Sequence, residues 1–259
     1  MSRLQVGDLD VHYEESGLGT PVVLLHGNWG CTAWWEPVLE RVPAGRRAIG
    51  YDLRGRGETT GPEGDGSFTS LAADLDRFAA ALGLERFHLV GHSLGTAIAM
   101  QYALEHEDRL RSLVLVSPAW IDGMPEAYAV EAHQERLVAD RAYADAALQA
   151  ITPGAPRDER WVRIVDLTRA QTIETARGAM RAHLEWRPGD ALGAIGVPTT
   201  VISGALDPLI TPAVATRVAE AIGAELILLD RNGHGPMLES PDAFATLLWE
   251  RLATAERPG

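Results

Sequence analysis

The sequence predicts an α/β protein in which a mostly parallel sheet is flanked by helices and interrupted by a helical insertion. Short, continuously apolar runs recur along the chain, and each ends at a histidine, aspartate, glycine or serine. That is the pattern of strands buried on both faces. Longer stretches with apolar residues at helical spacing lie between them, as crossover helices of a parallel sheet require. Between residues 118 and 196 the strand rhythm stops for far longer than one crossover needs.

Taken in order, residues 9–13 alternate like an early strand, antiparallel to the rest. Residues 21–25 form a continuous apolar run ending at His26-Gly27, and residues 47–51 form another ending at Asp52. Leu71, Leu75, Phe78, Ala79 and Leu82 then fall on one helical face, with Gly83 placed to end the helix. Asp74 is expected near the start of that helix, where a negative charge suits the macrodipole. The run 87–90 ends at Gly91, and a helix continues from Leu94 through Ala97, Ile98, Gln101 and Tyr102. The run 113–116 ends at Ser117-Pro118. The insertion reads as two helical stretches, 125–151 and 157–185, separated by Thr152-Pro153-Gly154-Ala155-Pro156. Strands return at 199–202, ending at Ser203-Gly204, and at 225–229. The expected organisation is a core of residues 1–117 and 197–259 with a cap of residues 118–196.

Bulk properties narrow the function. The chain has 259 residues, 46% of them hydrophobic, enough for one large core. A formal charge of −13 disfavours nucleic acid and anionic membrane as partners. All 23 basic residues are arginine, so lysine Schiff-base and lysine general-base chemistry are excluded. Cys31 is the only cysteine, which excludes an intrachain disulfide and a thiolate metal cluster. Carboxylates and histidines do not occur at ligand spacing, so neither a metal nor another cofactor is expected. The first residues lack the apolar stretch of a signal peptide, and no segment approaches the length of a membrane span, so a cytoplasmic location is expected. Oligomeric state is left open.

The chemistry begins at Gly91-His92-Ser93-Leu94-Gly95, between a buried strand and a helix. A turn that lifts a serine above a sheet brings its two flanking positions against neighbouring backbone, and only small residues fit there. Ser93 is therefore the candidate nucleophile. A hydroxyl needs a base within hydrogen-bond reach. Of eight histidines, His234 lies in a glycine-rich loop, Arg231-Asn232-Gly233-His234-Gly235-Pro236, just past the last strand. His26 reads as a structural hydrogen-bonding residue, His88 as a strand residue, and His92 as facing away from the serine. A carboxylate must fix the base's tautomer and stabilise its protonated form. Asp207, in a loop before Pro208, is the favoured acid, with Asp122 as its rival. The order Ser93, Asp207, His234 is the one that accompanies a Gly-x-Ser-x-Gly elbow. Two backbone N–H groups should hold the developing oxyanion, those of Leu94 and Asn28. Trp29 and Trp120 are expected to line an apolar substrate pocket, while Trp34, Trp35, Trp161 and Trp186 are assigned to packing.

With Leu25-His26-Gly27, Asp52-Leu53-Arg54-Gly55-Arg56-Gly57, the elbow, Gly204-Ala205-Leu206-Asp207 and Gly233-His234 in this order, the chain resembles the α/β-hydrolase superfamily. Within it, the chain is most similar to the group of small esterases, enol-lactonases and cofactor-free haloperoxidases. The resemblance implies an eight-stranded, mostly parallel sheet. It implies a structural role for the 52–57 turn, with Arg54 and Arg56 placed to border the active-site mouth. Thr96 stands where many relatives carry glycine, which implies a slightly wider elbow. His26-Gly27-Asn28-Trp29 is similar to the halide-holding segment of haloalkane dehalogenases, but the serine at 93 opposes that chemistry and epoxide hydrolysis alike. The implied activity is hydrolysis of a small or medium apolar ester or lactone by an acyl-enzyme. Carbon–carbon bond hydrolysis or cofactor-free oxygen chemistry is one alternative, and a non-catalytic ligand-binding module another.

Overall fold

A computed structural model describes residues 2–256. Its strands are β1 Ser2–Val6, β2 Leu9–Gly17, β3 Gly19–Leu25, β4 Gly45–Tyr51, β5 Phe87–His92, β6 Leu110–Val116, β7 Thr199–Gly204 and β8 Glu225–Leu229. They form one sheet in the order β1-β2-β4-β3-β5-β6-β7-β8. The pairs β1/β2 and β2/β4 are antiparallel and all others parallel. The α-helices are α1 Glu36–Leu39, α2 Phe68–Ala81, α3 Leu94–His106, α4 Glu131–Ala139, α5 Arg141–Ile151, α6 Glu159–Ala170, α7 Ile173–Glu185, α8 Pro212–Ile222, α9 Pro236–Glu239 and α10 Pro241–Thr254.

Each of the six apolar runs is a strand, and so is the alternating segment 9–13. The eighth, β1, has no counterpart among them. It is short and pairs with β2 as a hairpin around Gly7-Asp8, with Gly7 at φ 59°. A two-residue turn beginning with glycine between alternating residues was its sequence signal. Apolar side chains from both faces of the sheet build the core. Leu25, Ile49, Leu89 and Leu115 join Phe78 and Ile98 in one cluster. Leu24, Ala48, Val90 and Val116 join Trp35 and Phe244 in the other.

The sheet order positions the site. The strand β3 has β4 on one side and β5 on the other. Connections leaving β3 and β5 therefore diverge, and a crevice opens at their carboxyl ends.

Two local expectations are corrected. The helix α2 starts at Phe68, where Ser67 Oγ accepts from Ser70 N (3.2 Å), so Asp74 lies in mid-helix rather than near its start. Asp74 is buried and accepts two hydrogen bonds from Arg54, at 2.7 and 2.8 Å, so it anchors an ion pair rather than a helix dipole. The two helical stretches of the insertion are each broken in two. Asp140 caps α5 through Tyr143 N (3.1 Å) and Thr172 caps α7 through Thr175 N (3.2 Å), which starts new helices at both places. No helix among the described residues is long and apolar enough to cross a membrane.

Candidate active site

The segment β5–α3 turns within one residue. Ser93 has φ 52° and ψ −119°, and Ser117 is the only other non-glycine residue described with positive φ. Such backbone costs on the order of 1–3 kcal/mol and must be held by its surroundings. Here Ser93 N donates to Val116 O (3.0 Å), and its own carbonyl accepts from Thr96 N and Thr96 Oγ1, at 2.8 and 2.6 Å. The glycines are required by space. A Cβ on Gly91 would lie 2.8 Å from Thr96 Cα, and one on Gly95 would lie 2.6 Å from Leu25 O. Thr96 has a fastening role that the sequence did not suggest. Its hydroxyl also accepts from Ala119 N (2.8 Å), so the threonine fastens the turn to the chain after β6.

His234 follows β8 and its Nδ1–H donates to Asp207 Oδ2 at 2.7 Å. Asp207 Oδ1 accepts from Leu209 N and Ile210 N, both at 2.9 Å. Burial alone would raise the Asp207 pKa, but the His234 ring and these hydrogen bonds together hold it below the ordinary carboxylate value. The rival, Asp122, is exposed and pairs with Arg217 at 3.3 Å. The His234 loop is fixed from three sides. His234 N donates to Ile151 O (2.7 Å), His234 O accepts from His92 Nε2 (2.8 Å), and Glu239 accepts from Gly233 N (3.0 Å) and Gly235 N (3.1 Å).

His92 does not face away from the site. Its ring lies 4.8 Å from that of His234 and stacks on Trp34 at 5.1 Å. Burial lowers its pKa to about 3, which keeps it neutral, with Nε2 protonated and Nδ1 unpartnered.

The loop after β3 stands opposite. Gly30 N donates to Gly27 O (3.1 Å), closing a tight turn over Asn28 and Trp29. A Cβ on Gly27 would sit 3.1 Å from Ser93 Cβ, so this loop passes directly against Ser93. His26 ties it to the turn after β4, with Nδ1–H donating to Gly27 O (2.7 Å) and Nε2 accepting from Leu53 N (3.0 Å). Arg54 and Arg56 do not border the mouth. Both are buried, and Arg56 donates to Asn28 O and Asn28 Oδ1, each at 2.9 Å. Burial lowers the Arg56 pKa to about 10, still charged at neutral pH. The guanidinium thereby holds Asn28 by its carbonyl and side-chain oxygens.

A cavity of about 770 Å³ joins these parts. Ser93, His234, Asn28, Trp29 and Trp120 all line it, with Leu94 buried just behind at the start of α3 and Asp207 behind His234. Trp34, which the sequence assigned to packing, lines it too. Its far wall comes from the helices between β6 and β7: Val130, His133, Gln134 and Leu137 from α4 and the residue before it, and Tyr143, Ala146, Ala147 and Ala150 from α5. Small alanines at helical spacing leave the space open. These helices are bound to the floor, since Thr168 Oγ1 donates to Trp29 O (2.7 Å) and Arg160 pairs with Glu36 (2.9 Å). Among the described residues no group of three His, Cys, Asp or Glu could hold a metal ion.

The alpha/beta hydrolase fold family matches residues 20–241. Similar proteins include one provisionally named carbamate hydrolase RutD from Variovorax paradoxus, 32% identical, covering 97% of this chain and 99% of the relative. Its namesake in Azorhizobium caulinodans is 30% identical and covers 93% and 94%. Among solved structures, the enol-lactonase of Burkholderia xenovorans is similar with a TM-score of 0.85 at 25% identity, over 97% of this chain and 100% of that one.

Proposed function

This chain belongs to the alpha/beta hydrolase fold family, and we propose that it is a serine hydrolase cleaving a carboxylic ester or lactone through an acyl-enzyme on Ser93. One observation carries the reading: a histidine oriented by a buried carboxylate at 2.7 Å opens onto the same cavity as a serine held in strained elbow geometry.

In this mechanism His234 Nε2 takes the Ser93 proton as Oγ attacks the substrate carbonyl carbon. Asp207 keeps the proton on Nδ1 and stabilises the imidazolium. Leu94 N–H and Asn28 N–H hold the carbonyl oxygen as it becomes negative. Collapse of the tetrahedral intermediate breaks the carbon–oxygen bond to the leaving alcohol, which takes the proton from His234. Water, deprotonated by His234, then attacks the acyl carbonyl and frees the acid and Ser93. Trp29, Trp34 and Trp120 give the substrate an apolar seat.

The names of the relatives favour a second reading, a carbamate carbonyl attacked by the same serine. Much of the cavity wall is aliphatic or aromatic, which supports an apolar acyl chain over a small polar carbamate. Aryl esters and lactones of graded acyl length, together with an aryl carbamate, test this. Wild type should turn over the esters fastest, a fluorophosphonate probe should label Ser93, and Ser93→Ala should lose turnover by on the order of 10⁶. Undiminished ester hydrolysis by folded Ser93→Ala would overturn the assignment.

A further inference from the structure

The cavity face of α4 breaks its own pattern. Val130, His133, Gln134 and Leu137 share one helical face by their spacing, and all four line the cavity. A wall serving only an apolar chain would carry apolar residues at all four places, yet the middle two are polar. His133 has a protein partner, because its Nδ1 lies 2.7 Å from Tyr143 Oη. Gln134 has none: it is 7% exposed, and its Oε1 is buried without a hydrogen bond.

A buried amide left unpaired costs about 1–3 kcal/mol and calls for an explanation. Leucine or methionine would fill the same volume without that cost. The two ends of the amide exchange by a half-turn of the last torsion, so Gln134 can offer a cavity ligand either a donor or an acceptor.

We infer that Gln134 is a specificity-determining residue of the cap and reads a neutral hydrogen-bonding group, such as a hydroxyl, on the acyl chain away from the scissile carbonyl. The inference rests on the ester or lactone reading above. It narrows the substrate class from plain apolar acyl chains to chains with an apolar body and one polar mark. A charged mark is disfavoured, because no arginine among the described residues lines the cavity and a buried ion without a counter-charge is far more costly than a hydroxyl.

The test uses p-nitrophenyl esters of graded length, each paired as a chain ending in methyl and its isostere ending in hydroxyl. Hydrolysis of the methyl series by wild type reports on the parent reading alone. The ratio of kcat/KM between isosteres reports on Gln134. At the best chain length wild type should favour the hydroxylated ester by about fivefold to tenfold, the worth of one hydrogen bond. Gln134→Met and Gln134→Leu should bring that ratio to about one while keeping or raising the rate on the methyl esters. Both should melt no lower than wild type, since an unpaired buried amide is removed; a side chain serving structure would lower the melting temperature instead. A ratio of one in wild type at every length, or a preference that survives in Gln134→Met, overturns the inference. If wild type leaves the methyl series intact, the parent reading fails and this one falls with it.

Discussion

Two histidine–aspartate pairs lie at the edges of this sheet, and they are nearly the same object. His234 Nδ1 lies 2.7 Å from Asp207, and His12 Nδ1 lies 2.8 Å from Asp52. Each aspartate is buried and accepts two backbone N–H groups. For Asp207 these are Leu209 and Ile210; for Asp52 they are Thr32 (2.6 Å) and Glu58 (2.8 Å). They differ at the other imidazole nitrogen. The His12 Nε2 is closed off by Glu58 at 3.2 Å, whereas His234 lines the large cavity with Ser93. A carboxylate-oriented histidine is thus not by itself an active site. What its free nitrogen faces decides whether it moves protons or ties loops together.

The sharpest test substitutes asparagine for both acids. Asp207→Asn should lower kcat by roughly 10⁴, as expected when the base loses its oriented tautomer, with the fold intact by circular dichroism. Asp52→Asn should leave kcat per folded molecule within about twofold and cost about 2–4 kcal/mol of stability in urea unfolding, because three donors lose a charged acceptor. A catalytic collapse in Asp52→Asn with unchanged stability would erase the difference between the two pairs.

A smaller effect should come from Arg56, since the turn that Asp52 anchors carries it to Asn28. Arg56→Met should lower kcat about tenfold to a hundredfold while KM stays close to wild type, because Asn28, whose N–H is proposed to hold the oxyanion, loses the clamp on its carbonyl and side-chain oxygens. Equal changes in both constants, or a rise in KM alone, would place Arg56 in binding instead.

The smallest effect is on pH dependence. The hydrogen bond to Asp52 raises the His12 pKa above its ordinary value, outweighing desolvation. The folded state therefore favours protonated His12. That stabilisation is fully present below the ordinary imidazole pKa of about 6.5 and is lost as pH rises through the raised folded value. Melting temperatures of wild type across neutral pH should show this decline, and His12→Gln should show less of it. Parallel curves for the two proteins would deny His12 that role.

Much of this was legible in the sequence because the relevant physics is local. Continuous apolar runs marked six strands and an alternating run a seventh, since burial on both faces demands apolar residues throughout and burial on one face demands them at every other position. Gly91 and Gly95 marked the elbow, since nothing larger fits there. Other features were less visible. The Asp140 and Thr172 caps were present in the sequence, but a long helical rhythm hid them. Asp74 matched a dipole role until Arg54, twenty residues earlier, was seen to reach it. The 52–57 turn reads as structural either way, yet nothing in it points to Asn28 as the partner of Arg56.

The sequence by itself determined the α/β class, the order of the elements and the three residues worth examining, because strand burial, tight turns and loop glycines are dictated by immediate neighbours. Only the tertiary structure showed that a second, matching His–Asp pair exists and is closed off from the cavity that Ser93 and His234 line, that His92 and Trp34 stay at the site, and that Gln134 faces the cavity unpaired. Those outcomes depend on distances between segments far apart along the chain, which are set by the order of strands in the sheet and the way the helices between β6 and β7 settle on it.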